Sequence, residues 1–285
     1  MKVWISVDME GISGLVRWAD VISTGMDFQR NRRLMTADAS AAIAGAFDGG
    51  ATEVAVEENH GVEELCDLVL DEIDPRCRVI RGPGRPGATT LAGLDSSVGV
   101  ALFVGHHARA GSFPGIMAHT VSYERFRSVR VAGAAVGESE IMTIRAGELG
   151  VPVGLASGDQ VLIAELAKRA PWIERVEVKR ALSNQAADVI PPARTAALIR
   201  AGARRAVERA QAGELPVYRD QPAPHEIEVE LRAPIEDALR ENLSKLPEFE
   251  IADAQSVRTV ADDMELGFRR IAFLGYANRP GVTRY

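Results

Sequence analysis

Asp8 and Glu10 stand two residues apart in Ser6-Val7-Asp8-Met9-Glu10-Gly11, where the first apolar run of the chain meets a glycine. Side chains at i and i+2 of an extended segment project from one face, so the two carboxylates are expected to converge. Carboxylates that close repel unless positive charge lies between them, and a metal ion is the simplest such charge. His60 and His107 follow two further apolar runs, and Glu138 opens a predicted helix. Carboxylates with imidazoles form a hard-to-borderline donor set, suited to zinc or manganese more than to copper or an iron–sulfur cluster. One zinc takes three or four protein donors. Five donors (Asp8, Glu10, His60, His107 and Glu138) fit two ions sharing a carboxylate, the hydrolytic arrangement with ions about 3.5–4 Å apart.

The elements that must position these groups follow from periodicity. Short apolar runs predict strands over 3–7, 53–56, 78–80, 98–104 and 151–156. Helical spacing predicts helices over 30–47, 62–73, 138–149 and 160–169, with Asp159 as the N-cap of the last. Residues 122–132 read as one arm of a hairpin or a long strand, and the Gly/Pro-rich stretch 82–87 as a loop. Strands alternating with helices predict an α/β fold with a mostly parallel sheet. Such sheets place their sites at the carboxyl ends of strands, where Asp8, Glu10, His60 and His107 fall. Beyond Pro191-Pro192 comes an Ala/Arg-rich helix to about residue 210, whose arginines read as a solvated face. A proline-rich connector holding His225, expected at the surface, leads to strands over 227–231, 249–251 and 257–260 and helices over 234–243 and 262–276. The expected division is an α/β domain over 1–190 and a smaller α+β unit over 191–285.

Composition narrows the function. The 285 residues hold 33 basic and 40 acidic side chains, a net charge of −7. That balance argues against nucleic acid or an anionic membrane as partner, since both require basic surfaces. No apolar run reaches the roughly 18 residues of a membrane span, and the first residues lack a secretory leader's apolar core. A cytoplasmic protein is expected, with Cys66 and Cys77 as free thiols.

Residues 6–11 resemble the Ser-x-Asp-x-Glu-Gly signature of the DppA-type D-aminopeptidases, binuclear zinc peptidases. The family's other landmarks recur in order: a strand ending in His60, Leu-Phe-x-Gly-x-His-Ala-Arg over 102–109, Pro-Gly-x-Met-x-His over 114–119, Val-Gly-Glu over 136–138 and Gly158-Asp159. The match covers residues 1 to about 160. The resemblance implies two zinc ions per subunit, with manganese an alternative, and a cytoplasmic hydrolase that removes the N-terminal residue from short peptides, D-amino-acid-containing ones included. It implies Asp8 as the bridging ligand and Glu10, His60, His107 and Glu138 as the others. His119 is implied as the catalytic histidine outside the ligand set. We read it as a proton shuttle, with a metal-bridging hydroxide as nucleophile. A ring-stacked homo-oligomer, a decamer, is also implied.

Three positions depart from the family's pattern. Glu57-Glu58-Asn59 is longer than the polar pair expected before the histidine, His106 replaces a familiar tyrosine, and Glu140 adds a second carboxylate beside Glu138. His106 reads as a residue behind the site, because neighbours on an extended segment point opposite ways. Two other functions use the same features. A two-metal phosphoesterase would need cations for phosphate, and Arg109 alone lies close to a candidate ligand in sequence. A non-enzymatic α/β ligand-binding module would bind no metal.

Overall fold

The apolar runs of the first 180 residues lie side by side. The computed structural model describes residues 1–61, 65–85 and 89–276, without the side chains of Thr89 and Tyr276. In chain order the elements are β1 (Lys2–Val7), α1 (Trp18–Val21), α2 (Phe28–Asp48), β2 (Glu53–Glu58), β3 (Arg78–Ile80), β4 (Val98–Val104), β5 (Phe126–Val131), β6 (Ala134–Ala135), α3 (Glu138–Glu148) and β7 (Val153–Asp159). There follow α4 (Gln160–Arg169), β8 (Glu174–Ala181), β9 (Ala187–Val189), α5 (Pro192–Gln211), β10 (His225–Leu231), α6 (Asp237–Leu243), β11 (Phe249–Ile251), β12 (Ser256–Ala261) and α7 (Met264–Tyr276).

One sheet has the order β3-β2-β1-β4-β7-β8-β9, parallel except for the antiparallel β8–β9 pair. The other, β11-β12-β10-β5-β6, is antiparallel. The expected α/β class, with a mostly parallel sheet flanked by helices and a smaller α+β unit, is the fold observed. Strand order in the large sheet reverses between β1 and β4. In doubly wound sheets that reversal opens a crevice at the carboxyl ends of the strands.

Alternation along β1 sorts its side chains. Val3, Ile5 and Val7 bury one face with Met35 and Ile43 of α2 and Ile199 and Ala203 of α5. Trp4 points the other way, into a core shared with α3, α4, α7 and the second sheet. Ser6 and Asp8 follow Trp4 at two-residue steps, which starts Asp8 on the side of the second sheet. Helix α5, beyond residue 190, packs on the parallel sheet, whereas β5 and β6, before it, pair in the antiparallel one.

Several expectations need correction. Residues 65–73 form turns, not a helix; residues 62–64 lie outside the described residues. Side chains have taken the backbone partners a helix would use: Glu58 accepts from the Leu68 N–H, Thr36 from the Val69 N–H, and Arg32 donates to the carbonyls of Cys66 and Asp67. His225 is buried, not exposed, with Nε2 2.5 Å from Glu148 Oε1. Asp159 does cap α4, accepting from the N–H groups of Val161 and Leu162. Both cysteines are free.

Candidate metal centre

The motif at residues 6–11 works through its turn. Strand β1 ends at Val7, one residue before Asp8, so strand alternation does not by itself aim the two carboxylates. The loop after β1 is laid across the loop after β4: Asp8 N–H donates to Val104 O (2.9 Å) and Gly11 N–H to Gly105 O (2.7 Å). A Cβ at Gly11 would stand 1.9 Å from the His106 carbonyl oxygen, which explains the glycine that closes the motif. Gly105 has φ +70°, and a Cβ there would meet Asp8 O at 2.4 Å. The crossing brings Glu10 back over Asp8.

Lys179 of β8 fixes the loop from beneath. Its side chain is fully buried, and its ammonium donates to the carbonyls of Glu10 (2.6 Å), Ile12 (3.0 Å) and Leu15 (2.5 Å). An ammonium has three donors, and all three are used on one loop. Burial lowers its pKa to about 8 against the pull of Asp159 and Asp38, so it stays charged at neutral pH. Asp38 of α2 accepts from the Ser13 N–H at 2.9 Å and holds the same loop from the other side.

Asp8, Glu10, His60, His107, Glu138 and His119 come together at the carboxyl ends of β1, β2 and β4. His107 Nε2 lies 3.3 Å from Asp8 Oδ2 and 3.4 Å from Glu138 Oε1. His60 Nε2 lies 3.8 Å from Glu10 Oε1. His119 Nε2 lies 3.8 Å from Glu138 Oε1 and 4.0 Å from Glu10 Oε1, with its ring stacked on His107 at 3.9 Å. Two donor sets, Asp8–Glu10–His107 and His107–His119–Glu138, each have donor atoms within 4.8 Å of one another. His119 is therefore as close to a carboxylate as His60 is, and further than His107.

The imidazoles share one orientation. Each Nδ1 faces an oxygen: Asp67 Oδ2 for His60 (2.8 Å), Ala108 O for His107 (2.9 Å) and Met117 O for His119 (2.9 Å). A carbonyl can only accept, so His107 and His119 carry their hydrogen on Nδ1 when neutral and turn an Nε2 lone pair inward. Asp67 behind His60 makes the carboxylate–histidine pair common behind metal ligands. On the acidic side, Asp8 Oδ2 and Glu10 Oε2 are buried without a hydrogen-bond partner. Buried carboxylate oxygens gathered with imidazole Nε2 atoms form a donor set that a metal ion would satisfy. Zinc fits it by donor type.

Titration follows the crowding. Burial and the neighbouring Glu10 push the Asp8 carboxyl up to about 7. Burial also opposes ionisation of Glu10, but His60, His119 and His107 outweigh it and hold Glu10 below the ordinary range. Glu138, despite burial, is held down to about 2 through its bond to His107. Burial opposes charge on His60, yet Glu10, Asp67 and Asp8 raise it to about 9. His119 is lowered by burial and by His107.

Sequence reasoning missed Asp67, Asn59, Lys179 and Trp18. Asp67 had a signal, as a lone acid inside Leu65-Cys66-Asp67-Leu68-Val69. Asn59 donates to Glu138 Oε2 at 3.4 Å, and Trp18 packs edge-on against His119 at 5.4 Å. The departures have structural places. Glu140 accepts from the Gly137 N–H (2.6 Å) and pairs with Arg169 (2.7 Å) at the start of α3. His106 is buried behind the site with Nε2 3.2 Å from Ser6 Oγ, and Ser6 donates to Glu57, which Arg85 neutralises at 2.7 Å. Backbone strain collects here too. Leu65, Met117 and Val121 have φ of 44°, 46° and 61°, a conformation that costs a non-glycine residue about 1–3 kcal/mol and gathers at functional sites.

A family profile described as D-aminopeptidase, peptidase M55, matches residues 1–273. The chain belongs to the D-aminopeptidase family. Its sequence is 35% identical over 199 residues to the D-aminopeptidase of Bacillus subtilis (strain 168), covering 70% of this chain and 71% of that one. It also matches the solved structure of the Zn-dependent D-aminopeptidase DppA from Bacillus subtilis, described as a self-compartmentalizing protease. The TM-score is 0.85 and the identity 29%, over 96% of each chain. No helix among the described residues of this family member is long and apolar enough to cross a membrane.

Proposed function

We propose that the chain is a zinc-dependent aminopeptidase that hydrolyses the N-terminal, D-configured residue from short peptides. The observation that carries this reading is the convergence of three buried carboxylates on three imidazoles whose Nδ1 atoms are already engaged. Asp8, Glu10, His60, His107 and Glu138 would hold two zinc ions, with Asp8 shared. When bound, such a pair acidifies water, polarises the scissile carbonyl and anchors the substrate's free amine.

His119 is the proton carrier in this reading. Burial and His107 keep its imidazole neutral, its Nδ1–H is engaged by Met117 O, and its Nε2 faces the cavity. Its side chain is 11% exposed against 1% for His107, so it is the more accessible of the two stacked rings. From there Nε2 can take a proton and deliver it to the departing amine, a role worth about 10²–10⁴ in rate. The phosphoesterase alternative loses its cation, because Arg109 is engaged by Glu165 at 2.6 Å. Likeness to the self-compartmentalizing relative supports a homo-oligomer; we place the enzyme in the cytoplasm on its composition and as a ring-stacked decamer on the family resemblance of its motifs.

Hydrolysis of matched D- and L-aminoacyl amides, before and after chelation and with zinc restored, tests the reading. Cleavage of D-substrates that chelation abolishes and zinc restores is expected. A broad peptide panel with no zinc-dependent turnover would overturn it. An anomalous-scattering map at the zinc edge checks ion number and ligands independently.

A further inference from the structure

The donors occupy only part of their cavity. It has a volume of about 180 Å³, and the lining residues that are not candidate donors include Leu65, Val121, Phe268 and Ala272. Phe268 and Ala272 are i and i+4 on α7, so one face of that helix is turned to the cavity. Helix α7 packs on β10 and β12 of the second sheet and on α3. The donors, in contrast, come from loops at the edge of the parallel sheet and from the start of α3. The cavity is thus a seam, with acidic and imidazole groups on one side and an apolar helix face on the other.

We infer that the α7 face formed by Phe268 and Ala272 receives the side chain of the substrate's N-terminal residue and sets its upper size. The inference rests on the aminopeptidase reading above. In that reading the amine and scissile carbonyl of this residue are drawn to the donor side, which leaves its side chain as the group that must be buried elsewhere. Leu65 and Val121 continue the apolar surface. Among the described lining residues none is lysine or arginine. A charged side chain would therefore lose its hydration against Leu65, Val121, Phe268 and Ala272 with no charged partner on that wall, a costly burial. The wall selects an uncharged, apolar side chain. Phe268 is 3% exposed, held by the core behind it, so its ring is a fixed stop.

The test is kcat/KM for D-aminoacyl amides graded from alanyl through valyl and leucyl to phenylalanyl, with zinc present. A pocket discriminates about 10–200-fold per methylene. Phe268→Leu should raise the leucyl-to-alanyl ratio at least about tenfold, and Ala272→Leu, which fills space and opens none, should lower it by a similar factor. Phe273→Ala is the control: that ring stacks on Phe249 at 5.6 Å, away from the cavity, and the ratio should stay at the wild-type value. A parallel readout needs no turnover. The Tm shift given by D-amino-acid hydroxamates of increasing side-chain size should move in the same directions. Zinc-dependent turnover with an unmoved size ratio in both Phe268→Leu and Ala272→Leu would overturn the wall. Absence of zinc-dependent turnover on every amide would instead overturn the reading beneath it.

Discussion

Asp67 holds His60 by one nitrogen so that the other can serve the site. Removing such a partner typically costs about 10–100-fold in metal affinity. Asp67→Ala should weaken zinc by about that factor in a chelator competition, with the far-UV spectrum unchanged. His119 calls for a different measurement, because its Nε2 lies as near to Glu138 and Glu10 as a ligand would. His119→Gln should lower kcat by about 10²–10⁴ while two zinc ions per chain remain. Loss of one ion in elemental analysis would move His119 into the ligand set. Asp8, Glu10, His60, His107 and Glu138 were legible because each follows an apolar run or opens a helix. The second layer was not. Lys179 sits in Glu177-Val178-Lys179-Arg180, which reads as a solvated strand, and the carbonyls it binds leave no trace in residue types.

At the scale of elements, the site depends on two loops that cross and on the lysine under the crossing. Lys179→Met would leave the carbonyls of Glu10, Ile12 and Leu15 buried without donors. An unpaired buried group costs about 1–3 kcal/mol, so a loss of at least about 3 kcal/mol in urea unfolding is expected. Lys179→Arg should not restore it, since a planar fork cannot meet three acceptors grouped around one point. Strands and long helices were legible by period. The turns over 65–73 were not, because that stretch has helical spacing, and distant side chains (Thr36, Arg32 and Glu58) decide its backbone. The burial of His225 was hidden for the same reason: its partner Glu148 lies 77 residues away.

For the whole molecule, protons and zinc compete for the same buried groups. Asp8 is raised from 3.8 to about 7 and His60 from 6.5 to about 9. In both, the folded metal-free protein holds a proton that the unfolded chain releases at lower pH. Their contribution to stability is full below the unfolded values and is lost as pH rises, between about 3.8 and 7 for Asp8 and between about 6.5 and 9 for His60. Zinc must displace those protons, so its affinity rises over the same range. The Tm gap between zinc-loaded and chelated protein should therefore widen from pH 6 to pH 9, and calorimetry in buffers of different ionisation enthalpy should find protons released on loading. A gap that narrows with pH would contradict the assignment.

Helix α7 is the last element to close the cavity, and every donor precedes it by more than a hundred residues. On the ribosome, a growing chain exposes its acidic and imidazole groups long before Phe268 and Ala272 emerge. Until that helix packs, the apolar side of the chamber is missing. Selection of a peptide by its side chain must therefore wait until α7 has been made and has docked against the donors.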